Sequence, residues 1–279
     1  MVEDAVPEEV GQQPSRNLLA AAMSDVEVAI AAASAGAEAL RRRYGGELTR
    51  FAKSAQDFAT EADLESEKAV REVVAAALAG DAFLGEEGGL IGASDARRTW
   101  LVDPLCGTLN FAARTPLSCV NVALREDGVV TAAAVADPFA DEICWTDGRA
   151  AFVRTSDGDA DLDPTPVTGL VDVDFHGHAD WPIALVSSAD FVGRFGPRVS
   201  STSLALAWVA TGQRAAYVHA GDVRDSVHFA AGIAVCRAAG CVVTDLGGAD
   251  VSSSGGGLVA ASDLATHAAL LTAIANARR

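Results

Sequence analysis

The first half of the chain changes from helical to strand-like spacing of its apolar residues. An Ala- and Leu-rich stretch from about Asn17 to Arg43 is stopped by Gly45 and Gly46, which predicts a long helix. Ala62 to Ala79 repeats apolar residues at helical spacing and predicts a second helix. From Leu117 to Arg154, short apolar runs are separated by turns rich in Asp and Gly. That pattern predicts an antiparallel meander.

The second half alternates short apolar runs with longer helical ones. Strands are predicted at Trp181 to Val186, Ala215 to Val218, Cys241 to Thr244 and Leu258 to Ala260, and helices at Ser201 to Thr211, His228 to Ala239 and Ser262 to Ala277. Ser156 to Pro166 is rich in Asp, Gly and Pro and predicts a loop between subdomains. We therefore expect a mobile tail at 1–15, an α+β subdomain at 16–155 and an α/β subdomain at 156–279, with helices covering the sheets.

Charge and composition narrow the possible partners. The 279 residues carry 21 basic and 38 acidic side chains, a net charge of −17, which repels nucleic acids and anionic lipid surfaces. We expect neither as a partner, whereas a small anionic substrate is compatible because a bound cation inverts the local field. The five cysteines are scattered and form no C-x-x-C pair. With no signal-like or membrane-length apolar run, this predicts a cytoplasmic protein.

Four stretches carry the candidate chemistry: KSAQDFATEAD at 53–63, GEE at 85–87, WLVDPLCGTLNF at 100–111 and HFAAGIAVCRAAGCVVTDLGG at 228–248. Glu86 and Asp103 each follow a short strand-like run, and carboxylates at strand ends suit a hard cation such as Mg²⁺. Gly107 and Thr108 begin a predicted helix, where free amides suit a phosphate. Alone, each piece has a simpler reading as solvated surface, turn or helix start. Together they predict a metal-assisted phosphate site.

In their order along the chain, these stretches resemble the motifs of the inositol monophosphatase family. The family patterns are D-x-x-T-x-A-D, G-E-E, W-x-x-D-P-x-D-G-T-x-N-F, and W-D-x-A-A-G followed by E-A-G-G; the match runs from about Asn17 to the C-terminus. The resemblance implies a layered αβαβα sandwich of the inositol monophosphatase / fructose-1,6-bisphosphatase type. It also implies hydrolysis of a small phosphorylated metabolite, such as a sugar, polyol or nucleotide phosphate, and a homodimer.

The resemblance assigns roles to one half of the site with its residues intact. It implies that Glu86, Asp103 and the backbone carbonyl of Leu105 hold one Mg²⁺ ion. The nucleophilic water would be positioned by Glu86 and Thr108, and Asp63 would be a supporting acid. The amides of Gly107 and Thr108 would face the phosphate.

The other half of the site departs from the family pattern. Two of the three side chains that would hold a second metal beside Asp103 are replaced, the D-G-T aspartate by Cys106 and the W-D aspartate by His228. Thiol and imidazole are poor Mg²⁺ ligands, whereas Asp103, Cys106 and His228 together suit Zn²⁺. The alternatives are a thiol that fills space and a histidine without metal.

Three further features accompany this change. The family's substrate-contacting acid falls near Asp222, but Gly221 occupies its position, which puts inositol recognition in doubt. A shifted register would bring Asp225 or Asp222 into the space left by the lost aspartates.

His176 and His178 would lie on one face of a strand and could bind a surface metal, or else belong to a solvated loop.

Three functions remain open from the sequence. The first is a phosphomonoesterase with one retained metal site and an altered second one. The second is a catalytically inactive relative that binds a phosphorylated ligand or a partner protein. The third is a repurposed enzyme that uses zinc for other chemistry, such as elimination or isomerisation of a phosphorylated or acidic metabolite.

Overall fold

The computed structural model describes residues 23–54, 57–175, 180–251 and 256–279. The tail at 1–15, the start of the predicted first helix and the His176/His178 pair lie outside the described residues. Among those that are described, no helix is long and apolar enough to cross a membrane.

Eight helices and fifteen strands are formed by the described residues. The helices are α1 Asp25–Arg43, α2 Glu61–Ala77, α3 Thr108–Ala112, α4 Trp181–Ser187, α5 Ala189–Val192, α6 Leu204–Ala210, α7 Ala230–Ala238 and α8 Leu264–Ala277. The strands are β1 Arg50–Ala52, β2 Phe58–Thr60, β3 Ala82–Gly85, β4 Gly89–Ile91, β5 Arg98–Cys106, β6 Cys119–Glu126, β7 Val129–Asp137, β8 Glu142–Thr146, β9 Ala151–Thr155, β10 Gly158–Asp161, β11 Leu170–Asp174, β12 Gly196–Val199, β13 Ala216–His219, β14 Val242–Thr244 and β15 Leu258–Ala261.

These elements stack in five layers. Helices α1 and α2 cover one face of an eight-stranded sheet of order β10-β9-β8-β7-β6-β5-β3-β4. Helices α6 and α7 lie between that sheet and a five-stranded sheet of order β12-β11-β13-β15-β14. Helices α4, α5 and α8 pack on the outer side. Strands β1 and β2 form a separate hairpin next to α2.

The central strands are buried on both faces, so their apolar residues do not alternate with polar ones. In β6, Val120, Val122 and Leu124 pack toward α1 and α2. Cys119 and Ala123, which point to the opposite face of β6, pack toward the middle helices. This explains why the sequence shows continuous apolar runs through the predicted meander, whose strands are confirmed as β6 to β9.

The two N-terminal helices begin at well-formed caps. The Ser24 hydroxyl accepts from the amide of Glu27 and caps α1. Thr60 and Asp63 form a capping box at the start of α2, in which Asp63 accepts from the Thr60 amide at 2.7 Å. The cap therefore fixes the side chain of Asp63 inside the protein, where it is fully buried.

Two predictions for the C-terminal half were wrong. Trp181 to Val186 was predicted as a strand and forms α4, because Pro182 starts a helix and the buried residues Pro182 and Leu185 are one turn apart. Ser156 to Pro166 was predicted as a loop, yet Gly158–Asp161 pairs with β9 as the edge strand β10. All four β10 residues are exposed, so no apolar pattern marks this strand.

A bulge in β5 sets the direction of the site residues. Asp103 is opposite Asn121 and Cys106 is opposite Cys119. Between these two pairs, β5 contains one residue more than β6. Leu105 consequently packs with the α1–α2 side of the sheet, although it lies two residues after Asp103. The extra residue turns Cys106 to the same face as Asp103.

Candidate functional site

The turn after β3 carries the glutamate pair. Strands β3 and β5 are parallel, with Gly85 opposite Val102, so Glu86 and Asp103 emerge at the same edge of the sheet. The buried carboxylate of Glu67 in α2 accepts from the amides of Glu87 and Gly88, both at 2.8 Å. These two bonds fix the backbone of the turn that holds Glu86.

Lys53 pairs with both glutamates of this turn. Its Nζ lies 2.7 Å from Oε1 of Glu86 and 2.6 Å from Oε1 of Glu87. Burial lowers the pKa of Lys53, but the hydrogen bonds to the two carboxylates outweigh it and the net pKa is raised. Lys53 is therefore a fixed positive charge next to Glu86.

Asp103 lies at the centre of the site, with no exposed surface on its side chain. Its Oδ1 accepts from the amide of Leu105 at 3.0 Å, and its Oδ2 lies 2.7 Å from Nδ1 of His228. Oε2 of Glu86 is 3.9 Å from the same histidine nitrogen. The two carboxylates thus converge on one point, which in this structure is an imidazole nitrogen.

Cys106 completes a set of three side chains that could hold a metal ion. One ligand atom each from Asp103, Cys106 and His228 lie within 4.8 Å of one another. The Cys106 sulfur accepts from the amide of Ser203 at 3.1 Å. A hydrogen bond with Cys119, together with desolvation, holds the pKa of the Cys106 thiol well above its usual range. Without a metal, Cys106 is therefore a neutral thiol.

Thr108 and Asp63 form the supporting pair. The Thr108 hydroxyl lies 2.9 Å from Oδ1 of Asp63 and 3.1 Å from the carbonyl oxygen of Leu105. A hydroxyl has one proton, so it donates to one of these oxygens at a time and keeps its own lone pairs free to accept. The preceding residue, Gly107, has φ +98°, and a Cβ there would lie 2.6 Å from the carbonyl oxygen of Leu117. Only glycine fits this turn without strain.

Burial and charge shift several pKa values at the site. Burial next to Asp103 raises the pKa of Glu86 to about 8. Burial disfavours the charged form of His228, but its hydrogen bond to Asp103 outweighs this and raises the pKa to about 10. Burial also raises the pKa of Asp63, against the hydrogen bonds from Thr60 and Thr108. The site therefore holds excess negative charge that binds protons or cations.

The two acids proposed to fill the altered half are paired elsewhere. Asp225 lies 2.7 Å from the guanidinium of Arg125, with 83% of its side chain exposed. Asp222, the candidate substrate contact, pairs with Arg224 at 2.7 Å. In this structure His228, rather than either aspartate, contacts Asp103.

Sequence reasoning gave no role to the residues that support the site. Glu67 and Ser66 lie on the buried face of α2 with Asp63, and Ser66 donates to the carbonyl of Pro104 at 2.8 Å. Ser66 and Glu67 lie three and four residues after Asp63, on the same helical face. Because polar residues on a buried face need hydrogen-bond partners, this spacing could have predicted their supporting role. Asn121 and Ser203, hydrogen-bonded at 2.8 Å, come from separate elements and had no such signal.

Comparisons with known proteins agree with the motifs. Residues 23–279 match the profile described as the inositol monophosphatase family. The inositol-1-monophosphatase of Caulobacter vibrioides is 31% identical over 87% of this chain and 97% of its own length. The Nus factor SuhB of Xylella fastidiosa is 35% identical over 71% of this chain and 72% of its own. The crystal structure of SuhB from Bartonella henselae aligns with a TM-score of 0.76 at 26% identity, covering 89% of this chain and 97% of that chain. The predicted αβαβα sandwich is confirmed, and the chain belongs to the inositol monophosphatase family.

Proposed function

We propose that this protein is a phosphomonoesterase that acts on a small sugar, polyol or nucleotide phosphate. The observation that carries the proposal is the convergence of Glu86 and Asp103, whose carboxylates lie within 4 Å of one nitrogen atom. Thr108, which is hydrogen-bonded to Asp63, follows the end of β5, the strand that carries Asp103. The name of the Caulobacter relative supports the same activity.

The donor set of the retained half fits Mg²⁺. Glu86, Asp103 and the carbonyl of Leu105 offer only hard oxygen atoms, which are the ligands that Mg²⁺ prefers. When bound, the ion supplies charge stabilisation to the phosphoryl group and acidifies a bound water. His228 contacts the same Oδ2 of Asp103, so ion and imidazolium would compete for that oxygen.

The chain's own residues then orient the reactants. Glu86 and the Thr108 hydroxyl would hold the attacking water, with Asp63 fixing the hydroxyl from behind. The amides of Gly107 and Thr108 would face the substrate phosphate. Lys53 would keep Glu86 and Glu87 from repelling an anionic substrate, because its ammonium neutralises part of their charge.

Phosphate release from a panel of sugar, inositol, histidinol and nucleotide phosphates with Mg²⁺ tests this proposal. We expect Glu86→Gln to reduce turnover roughly 100-fold or more, because it removes a metal ligand and the carboxylate that would hold the attacking water. Glu87→Gln is the matched control, since it loses an equivalent bond to Lys53 without a proposed role in catalysis. Equal activity in the two variants would contradict the proposal.

A second candidate function follows from the Asp103, Cys106 and His228 cluster. One oxygen, one sulfur and one nitrogen suit tetrahedral Zn²⁺ with an open position. Such a protein would catalyse another reaction on a phosphorylated or acidic metabolite, or bind a phosphorylated ligand or partner protein without turnover. The Xylella relative is named as a Nus factor, which fits the last alternative.

Metal analysis distinguishes this second candidate. It predicts zinc that co-purifies with the native protein and is lost in Cys106→Ser, while Cys144→Ser, at a buried thiol outside the cluster, retains it. A protein that only binds its ligand would gain thermal stability from a phosphorylated compound and release no phosphate. Zinc content unaffected by Cys106→Ser would rule out the cluster as the zinc site.

Assembly and location complete the proposal. We place the protein in the cytoplasm as a homodimer; its five cysteines are all free thiols, which suits a reducing compartment. Light scattering after gel filtration measures the mass of the assembly.

A further inference from the structure

A second concave site lies beside the candidate active site. A groove of about 580 Å³ runs between the turns after β6 and β8, the segment before α7, and α7 itself. Glu86, Asp103, Cys106, Thr108 and His228 do not line it; Ser226, whose Oγ accepts from the His228 amide at 3.3 Å, lies between the two sites. Its volume is in the range of pockets that hold small organic ligands.

The groove gathers positive charge in an acidic protein. Four arginines line it, from four different places in the chain: Arg125, Arg149, Arg224 and Arg237. The whole sequence has only 21 basic residues against 38 acidic ones. Two aspartates, Asp225 and Asp250, also line the groove, so arginine predominates there, unlike in the chain as a whole.

Three of the four arginines are held in ion pairs that an anion would have to replace. Arg125 pairs with Asp225 at 2.7 Å, Arg224 with Asp222 at 2.7 Å, and Arg237 with Asp250 at 3.1 Å. The three aspartate side chains are 83%, 47% and 58% exposed, and ion pairs of this kind contribute little stability. In the described part of the chain, Arg149 forms no ion pair, so its guanidinium can bind an anion without first breaking one. Arginine forks bind phosphate oxygens in pairs, with more directional contacts than lysine.

The walls between the arginines are apolar. Leu101 and Val130 come from the eight-stranded sheet, and Ile233 and Ala234 from α7. Apolar walls with several guanidinium groups match a ligand that joins an apolar group, such as a ring, to more than one negative charge. We propose that this groove binds a nucleoside polyphosphate, with the phosphates on the arginines and the base against the apolar walls.

Equilibrium binding of a fluorescent ATP analogue tests the proposal, in EDTA so that no metal recruits nucleotide to the candidate active site. We expect Arg125→Gln/Arg149→Gln to weaken binding at least 10-fold, because two charged hydrogen-bond donors are lost. Arg42→Gln/Arg71→Gln, on the exposed sides of α1 and α2, makes the same change in net charge outside the groove and should leave affinity unchanged.

A second variant tests the groove without removing an ion pair that could contribute to folding. Val129 lines the groove and is 65% exposed, so Val129→Glu adds a negative charge without breaking an ion pair. Val199, 63% exposed on β12, gives the matched control Val199→Glu. We expect at least 10-fold weaker binding for Val129→Glu and no change for Val199→Glu.

Competition experiments define the ligand class. The proposal predicts that unlabelled ATP displaces the probe at lower concentration than tripolyphosphate, and that adenosine displaces it poorly. No binding at millimolar probe, or equal binding by groove and control variants, would overturn the assignment. Equal displacement by ATP and tripolyphosphate would overturn the role of the apolar walls. Stronger displacement by an acidic peptide than by ATP would replace the nucleotide with a protein partner.

Discussion

The two halves of the candidate site differ in how their side chains are held. On the retained half, buried hydrogen bonds from a helix cap and from the strand bulge hold the carboxylates of Asp63 and Asp103, and Lys53 pairs with the carboxylate of Glu86. On the altered half, Cys106 and His228 contact the site through one backbone amide and one carboxylate oxygen. The first half therefore presents carboxylates to the site, while the second half presents a thiol and an imidazole.

The geometry of both halves is set by strand register and by the protein's own hydrogen bonds. Asp103 lies in register opposite Asn121, and the bulge that follows it turns Cys106 to the same face. His228 supplies a positive charge at the oxygen where a cation would otherwise bind. The hydrogen bonds that hold the carboxylates of Asp63 and Asp103 come from the protein itself.

Restoring the altered half should give the largest change. We expect Cys106→Asp/His228→Asp to raise Mg²⁺-dependent phosphate release roughly 100-fold, since a second metal that stabilises the leaving oxygen contributes several kcal/mol. The change also removes the imidazolium that competes for Asp103. Initial rates against Mg²⁺ concentration measure both effects. High activity in the native chain, unchanged in the double variant, would mean that the altered half already works.

Loosening the retained half should have a smaller effect. Glu67→Gln leaves one acceptor oxygen for the amides of Glu87 and Gly88, so the turn that carries Glu86 loses a charged hydrogen bond. We expect kcat to fall roughly 10-fold with little change in KM, because positioning rather than substrate binding is impaired.

The exposed glutamate of the same helix provides the control for this change. Glu72→Gln, on the outer side of α2, should leave kcat unchanged. If Glu67→Gln lowered the melting temperature but not kcat, Glu67 would be a structural residue only.

The smallest effect concerns pH. The hydrogen bond to Asp103 overcomes the effect of burial and raises the pKa of His228 to about 10, above its value of about 6.5 in an unfolded chain. The stability from this pair is therefore complete below pH 6.5 and is lost as pH rises through 10. We expect the unfolding free energy of the native chain, minus that of His228→Gln, to decrease between pH 6 and pH 10 in EDTA. A difference that grows with pH would contradict the pairing.

Several elements could be read from the sequence because their signals are local. The capped helix α2, the meander β6 to β9 and the glycine turn at Gly107 each follow from neighbouring residues. Helix α4 and strand β10 could not be read in this way. A six-residue apolar run fits either a helix or a strand, and an exposed edge strand has no apolar pattern at all.

The sequence by itself determined the family and the fold class, since these depend on which residues follow one another, and it predicts an altered second metal site at Cys106 and His228. Only the tertiary structure decided that Cys106 turns to the face of Asp103, that His228 pairs with it, and that four scattered arginines meet in one groove. Those facts depend on a bulge and on contacts between residues far apart in the chain, and no local spacing encodes them.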